Sequence, residues 1–528
     1  MTSIALPLPA ARSRADVYRA RYVIAFAVTL ASVLELVDTS IVNVAIPHMM
    51  GNLGATLEEI AWVSTGYIVA NVIVLPMTSF FSDTFGRRNY YSGSIALFTA
   101  ASFFCGQAHS LESLVFWRVI QGIGGGALIS TAQAILFDVF PKEERGTSTA
   151  IFGMGVMVGP LLGPTLGGWI TANYSWPWIF YINLPLGIIA LALCWQYVPE
   201  PSVPVRRGAS GIDWLGLCFL ALGVGCLQIL LERGQSKDWF ASREIVVEAV
   251  LAASGLVAFV WRELVADHPM VDLRILRSRQ MATGVTFALV LGFALYASVF
   301  VLPVFLQGLL GYSAWDTGLV MFPGAIASAI TMAVVGRLTQ KMDARPLVVA
   351  GVLLYLVSMT MHWQFTLDTG LHDTLLPIVI RGVGIGLVFV PLTAMTVADL
   401  QPQQMAQGTG LFNLSRQLGG SLGIAAAATL VTRFAATARA GLLPHLDPSD
   451  PRVRGWVDQV TAGMTHLGAS LPQAQARAYQ LLSQRLQQQA SLLAYDKIYL
   501  TMGIVFTCAL PLLLFFRTGR VTGKADAH

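Results

Sequence analysis

The chain has 528 residues, of which 55% are apolar and 12% charged, with a formal net charge of +4 and a mean hydropathy of +0.64. A soluble domain carries about 25% charged residues, so too little polar surface remains here to cover a water-soluble core. The composition excludes a soluble enzyme, a nucleic-acid binder and a secreted module, and indicates a polytopic membrane protein.

A membrane-spanning helix needs roughly 20 mostly apolar residues. The N-terminal stretch, with Arg12, Arg14, Arg19 and Arg21, precedes an apolar block that is too long for a cleaved signal peptide and contains two carboxylates; it reads as a retained first helix. Apolar blocks separated by charged or Pro/Gly-rich breaks predict fourteen helices, at 22–46, 60–81, 90–109, 113–137, 147–171, 177–198, 212–232, 245–263, 281–307, 316–338, 346–366, 375–398, 406–432 and 496–516. An even number places both termini on one side. That side holds 20 of the 33 Lys and Arg residues, including Arg87, Arg88, Lys142, Arg145, Arg274 and Arg345, whereas the short loops opposite are almost free of them. By the positive-inside rule both termini are expected to be cytoplasmic.

The sizeable segment outside the membrane, 435–495, is polar in its first half, with Pro444, Pro448 and Pro451 expected to break any helix. From Leu471 it reads as a Gln-rich amphipathic helix with Leu482, Leu486 and Leu493 on one side. Either it is a lid packed on its own bundle or it is a docking surface for an extracytoplasmic partner. The five cysteines, Cys105, Cys194, Cys218, Cys226 and Cys508, lie in apolar blocks without metal-ligand spacing and read as small core residues.

The chain repeats itself. Asp138–Pro141 with Gly146-Thr147 resembles Asp399–Pro402 with Gly408-Thr409; Arg118 has a counterpart in Arg381; and the turn 79–88 resembles 336–345. The offsets are 261, 263 and 257 residues, which indicates a duplication. Six helices fill about 190 residues, so two extra helices fit between the halves. The expected organisation is a cytoplasmic tail (1–21), a six-helix bundle (22–198), a linker (199–211), two inserted helices (212–263), a linker (264–280), a second bundle (281–516) and a tail (517–528). Substrate is expected between the bundles near the bilayer midplane.

Charges within spans are costly and mark function. Glu35 and Asp38 lie three residues apart on one face of the first helix, and Arg118 lies at a similar depth in the fourth, so an Asp38–Arg118 contact is expected. A carboxylate whose burial and Arg contact change during a conformational cycle takes up a proton on one side and releases it on the other; whether Glu35 or Asp38 does so stays open. Asp83, Gly86, Arg87 and Arg88 after the second helix form a charge-and-glycine latch at the cytoplasmic face. The fifth helix carries Gly155, Gly159, Pro160, Gly163, Pro164, Gly167 and Gly168, where small residues allow close helix approach and prolines bend the backbone. Tyr67, Asn71, Gln121, Gln133, Gln307, Asn413 and Arg416 are polar or aromatic groups within spans and are candidate substrate contacts. Arg416 is expected either to bind an anionic substrate or to pair with Glu35.

The latch resembles the cytoplasmic signature of the major facilitator superfamily, with Ser79 where Gly is usual. The Gly/Pro-rich fifth helix resembles that superfamily's signature of exporters working by antiport. Val37–Pro47, Arg118–Gly122 and Trp178–Gly187 resemble the fourteen-helix drug:proton antiporters of the EmrB/QacA type, and Ile46–Gly54 together with the long last outer segment is most similar to the EmrB branch. The resemblance covers roughly 20–520. It implies an all-α protein of two six-helix bundles plus two inserted helices, located in a bacterial inner membrane. It also implies a secondary transporter exporting amphipathic toxic compounds against protons and conferring antibiotic resistance, with a periplasmic adaptor and an outer-membrane channel as partners. A metabolite exporter or symporter of the same fold is the alternative; a membrane-embedded enzyme or sensor fits less well, because the eight histidines are scattered. The chain has no GxxxxGK[ST] phosphate loop, so neither nucleotide nor other cofactor is expected, and no metal or nucleic acid.

Overall fold

A computed structural model describes residues 14–141, 144–200, 213–266, 269–339, 341–401, 404–447 and 450–516. Most of the expected tails and of the 199–211 linker, including Arg12, Arg206 and Lys524, lie outside these residues, as does Lys142. The described chain is helical throughout and has no strand. The first half comprises α1 (Arg14–Arg19), α2 (Arg21–Leu53), α3 (Leu57–Ile60), α4 (Trp62–Val74), α5 (Thr78–Phe85), α6 (Arg87–Gly106), α7 (Leu111–Gly125), α8 (Leu128–Val139), α9 (Arg145–Asn173), α10 (Trp178–Tyr181) and α11 (Asn183–Tyr197). Next comes a helical pair, α12 (Trp214–Arg233) and α13 (Arg243–Val265). The second half holds α14 (Arg279–Gly308), α15 (Ala314–Leu338), α16 (Arg345–His362), α17 (Leu371–Thr396), α18 (Met405–Leu442), α19 (Pro451–His466) and α20 (Leu471–Thr507).

Among the described residues thirteen helices are long and apolar enough to cross a membrane, one fewer than expected. The predicted third span exists as the 20-residue α6 but falls short in apolarity. The reason is local: Arg87, Arg88 and Asn89 fill its first turn, and Ser92, Ser94, Thr99 and Ser102 sit on its buried face, where helices pack against each other rather than against lipid. The expected fourth span is divided at Gly126-Ala127 into α7 and α8. There a Cβ on Gly126 would lie 2.6 Å from the Asn71 carbonyl oxygen, so only glycine permits that approach of α4.

The largest departure is at the last outer segment. Instead of ending near 432, α18 runs for 38 residues to Leu442, and α20 runs unbroken for 37 residues from Leu471 into the final span. The Ala-rich stretch before Leu442 contains no proline to stop the helix. At 1.5 Å per residue each helix is about 55 Å long against a hydrocarbon core of about 30 Å, so both project beyond it. Helix α19 packs on the projecting part of α20. The buried stripe of α20 is Ala474, Ala478, Leu486, Ala490 and Ala494, at four-residue multiples; Leu493 is exposed and Leu492 is buried instead. Two cysteines also depart from the core reading: Cys218 of α12 and Cys508, just past the end of α20, are exposed.

The two halves meet chiefly through α9, which packs on α15 and α17, and through α18, which packs on α8 and α5. A Cβ on Gly146 would lie 2.6 Å from Thr339 Oγ1, and one on Gly336 would lie 2.5 Å from the Gly146 carbonyl oxygen, so α9 and α15 touch backbone to backbone at the end that carries Arg87 and Arg88. The added pair forms a hairpin around facing Gly223 and Gly255, and α12 rests against both α4 and α18.

The Gly-rich helix explains how α2 is held. Gly155, Gly159, Gly163 and Gly167 recur every four residues, and their missing side chains are the places occupied by Thr29, Leu36, Ser40 and Ile41 of α2. Gly168 faces away, and a Cβ there would sit at an ordinary 3.6 Å from Ala314. Gly163→Val is therefore expected to overpack the α2–α9 seam by about 1–3 kcal/mol and lower the thermal unfolding midpoint of the purified protein, while Gly168→Ala leaves it unchanged. Equal midpoints for the two variants would contradict this packing.

Candidate functional site

Five helices converge on one carboxylate. Asp38 of α2 is fully buried and pairs with Arg118 of α7, itself 1% exposed, at 2.5 Å. Its other oxygen, Oδ1, accepts from Gln121 Nε2 of α7 at 2.9 Å and from Asn183 Nδ2 at the start of α11 at 2.8 Å. Ser102 of α6 accepts from the same two amides at 3.0 and 2.9 Å and donates to the Phe180 carbonyl. Arg118 donates its Nε–H to the Val63 carbonyl at 3.0 Å, a second N–H to Gln121 Oε1 at 2.7 Å, and lies 4.1 Å over the Tyr67 ring of α4. Such a pair survives in a low dielectric because nearly every donor and acceptor around it is used.

Glu35, one turn earlier, is bound differently. Its Oε1 accepts from Asn71 Nδ2 of α4 at 2.7 Å, while its buried Oε2 has no hydrogen-bond partner among the described residues. Asn71 in turn accepts from Gln417 of α18 at 3.3 Å, so the Glu35 side chain is linked through α4 to the second half. A second polar bridge crosses nearby: Asn413 Nδ2 donates to Gln133 Oε1 of α8 at 2.8 Å, and Arg416 donates to Asn413 Oδ1 at 3.3 Å and to the Tyr296 hydroxyl of α14 at 3.1 Å. Arg416 is 2% exposed and forms no ion pair among the described residues, so the expected Glu35–Arg416 pairing is not made in this conformation.

At the basic end, Arg87 forms an ion pair with Asp138 of α8, and Arg88 lies 5.3 Å over the Trp195 ring of α11. Gly86 has φ +85°, a conformation that favours glycine, and a Cβ there would come within 3.1 Å of the Glu200 carboxylate. Asp83 sits in the last turn of α5 beside this turn. Arg21 reaches Glu144 at 3.3 Å, tying α2 to the residue preceding α9.

The structure thus gathers Asp38, Arg118, Gln121 and Tyr67 into one cluster, and Glu35, Asn71, Gln133, Asn413 and Arg416 into a polar seam between the halves. Gln307 joins neither: it is exposed one residue from the end of α14, on the outward side of a turn whose Phe305 and Leu306 are buried. Ser102, Asn183, Asp138 and Tyr296 were not singled out as site residues. Asn183 and Asp138 stand inside recognisable motifs, whereas nothing in the local pattern distinguishes Ser102 or Tyr296 from other buried polar residues. Among the described residues no three His, Cys, Asp or Glu side chains group as a metal site would.

Comparison with known proteins agrees with this architecture. The profile of the Major Facilitator Superfamily matches residues 28–424. Multidrug export protein EmrB of Haemophilus influenzae is 34% identical over 93% of this chain and 94% of its own length, and EmrB of Escherichia coli K12 is 33% identical over 96% and 98%. Fatty acid resistance protein FarB of Neisseria gonorrhoeae is 33% identical over 92% and 94%. Among solved structures, the human organic anion transporter MFSD10 superposes with a TM-score of 0.60 at 13% identity, covering 93% of this chain and 99% of that one, which shows a shared fold. With the profile spanning most of the chain and the EmrB relatives matching nearly end to end, the chain belongs to the Major Facilitator Superfamily, in its EmrB-type branch, and is a multi-pass membrane transporter.

Proposed function

We propose that the chain is a drug:proton antiporter of a bacterial inner membrane, exporting amphipathic toxic compounds by alternating access between its two halves. The observation that carries this reading is the pair of buried carboxylates on α2: one neutralised by Arg118, the other with an oxygen unpartnered at the seam between the halves. Residues that link the two carboxylates to moving halves have the arrangement that a proton–substrate exchange needs. The name of its EmrB relatives, multidrug export protein, supports export as the direction.

On this reading α6, third in chain order, completes the fourteen spans and both termini are cytoplasmic, which places Arg88 and the Arg87–Asp138 pair at the inner face. The touching α9 and α15 backbones at that end then make this an inward-closed conformation, and opening requires the Gly146–Gly336 contact between them to part. The projecting ends of α18 and α20, with α19, face the periplasm, where an adaptor leading to an outer-membrane channel would rest.

In everted vesicles, addition of a transported amphiphile is expected to collapse an imposed pH gradient, and Asp38→Asn to abolish the response; an unaltered response in Asp38→Asn would sink the mechanism. The same pair has a structural role that is separable. Arg118→Gln leaves a buried carboxylate without its counter-charge, a loss of about 3–5 kcal/mol, so reduced yield and a lower unfolding midpoint are expected. Combining it with Asp38→Asn removes both charges and is expected to recover most of that midpoint without recovering transport. A double variant no more stable than Arg118→Gln would contradict the pairing.

A further inference from the structure

Helix α15 has two distinct faces. One carries Gly336 and closes on α9; the other carries Ile330, Ala333, Val334 and Arg337 at three- and four-residue spacing. Ile330 and Val334 are 61% and 58% exposed, so this second face meets lipid rather than protein. The small side chain of Ala333 leaves the surface concave there, and Met154 of α9 forms the facing wall. The result is a groove of about 540 Å³. One water needs about 10–15 Å³ by this measure, so the groove has room for a hydrocarbon chain.

One end of the groove is charged. Arg337 occupies the last turn of α15, and Lys341 follows four residues on, its amide bonded to the Leu338 carbonyl at 2.9 Å; both side chains line the groove. Both are exposed, and neither forms an ion pair among the described residues. The nearest carboxylate along the chain, Asp343, accepts from the Arg345 amide at 3.0 Å and pairs with neither. Seven residues separate Ile330 from Arg337, about 10 Å along the axis, which lies within one leaflet of a hydrocarbon core about 30 Å thick. A basic residue at the end of a spanning helix is an ordinary anchor. Here two of them close a concave apolar surface built by two helices, which complements an acyl chain carrying an anionic head.

We propose that this groove binds one anionic phospholipid, its acyl chain between Met154 and Ile330 and its phosphate on Arg337 and Lys341. Arginine matches phosphate with its forked donors, and lysine adds a point charge. Because Met154 belongs to the first half and the other lining residues to α15, the lipid lies along the α9–α15 contact that Gly146 and Gly336 close, and favours the conformation in which that contact is made. It is a resident of the protein surface and not cargo. Its binding is measured without transport, so failure of proton coupling in vesicles leaves the result below intact.

The test uses the full chain in a neutral detergent, titrated with phosphatidylglycerol or with phosphatidylcholine of the same acyl chains and read by native mass spectrometry. Each cation near the surface contributes roughly a fivefold preference for an anionic lipid, so one phosphatidylglycerol is expected to bind at least tenfold more tightly than phosphatidylcholine. Arg337→Gln with Lys341→Gln is expected to bring the two lipids to equal affinity, and Ile330→Trp, which fills the groove, to weaken both severalfold. All three side chains are exposed, so the unfolding midpoint of each variant in detergent alone is expected to stay unchanged. Arg274→Gln with Arg277→Gln, exposed cations of the segment before α14, is expected to leave the preference intact. Equal binding of the two lipids to the unmodified protein would overturn the proposal. So would a preference lost equally with Arg274 and Arg277, which would mean a diffuse basic surface. Full displacement of the lipid by glycerol 1-phosphate would do the same, by showing a phosphate site that needs no chain.

Discussion

A charge carried into hydrocarbon must bring its own counter-charge and hydrogen bonds, and the Asp38–Arg118 pair sets the terms for the first half of this protein. Satisfying one carboxylate and one guanidinium takes groups from α2, α4, α6, α7 and α11. Those helices can converge only if their backbones approach closely. The glycines of α9 let α2 sink toward it, and Gly122 and Gly126 let α4 press against the α7–α8 region. The low polarity of the spans and the glycine spacing are thus two sides of one requirement: little charge is buried, and what is buried must be enclosed by tightly packed helices.

The halves carry matching sequence motifs but not matching electrostatics. In the first, an arginine, a carboxylate and three amide or hydroxyl side chains form a closed unit. In the second, Arg381 keeps its position while its neighbour helix offers only a backbone carbonyl. Between them runs the seam of Glu35, Asn71, Gln417, Gln133, Asn413 and Arg416, in which every bond that crosses from one half to the other joins neutral amides. Such bonds are individually weak, about 1 kcal/mol, and suit an interface that must open and reform.

Much of this was legible in the sequence. Hydropathy located the spans, and the Asp38–Arg118 contact followed from depth along two antiparallel helices. The repeat offsets alone pair Arg118 with Arg381. What escaped was set by tertiary packing. The apolarity of α6 is low because serines and a threonine face neighbouring helices, a choice that hydropathy cannot distinguish from a weak span. Gln307 looked like a pocket residue, but it faces outward from a turn whose Phe305 and Leu306 are buried, and a direction around the helix is not given by a uniformly apolar span. The prolines at 444, 448 and 451 were expected to break any helix, and α18 does stop just before the first and α19 begins with the last; what the polar composition hid is that helix resumes on either side of them. Ser102 and Tyr296 bond to partners far along the chain, and short-range patterns carry no trace of such pairs.

The length of α18 and α20 has a mechanical consequence. Each is a single rod whose inner part is bound into the second half, and whose outer part extends roughly 25 Å past the hydrocarbon. Helix α19 clasps the free part of α20. A rod of this kind does not bend where it leaves the bilayer, so any small tilt of the second half is magnified at its tip in proportion to the distance from the pivot. On the alternating-access proposal, rocking at the midplane converts into a lateral stroke outside the membrane, and the tip reports the state of the buried seam without any further moving part.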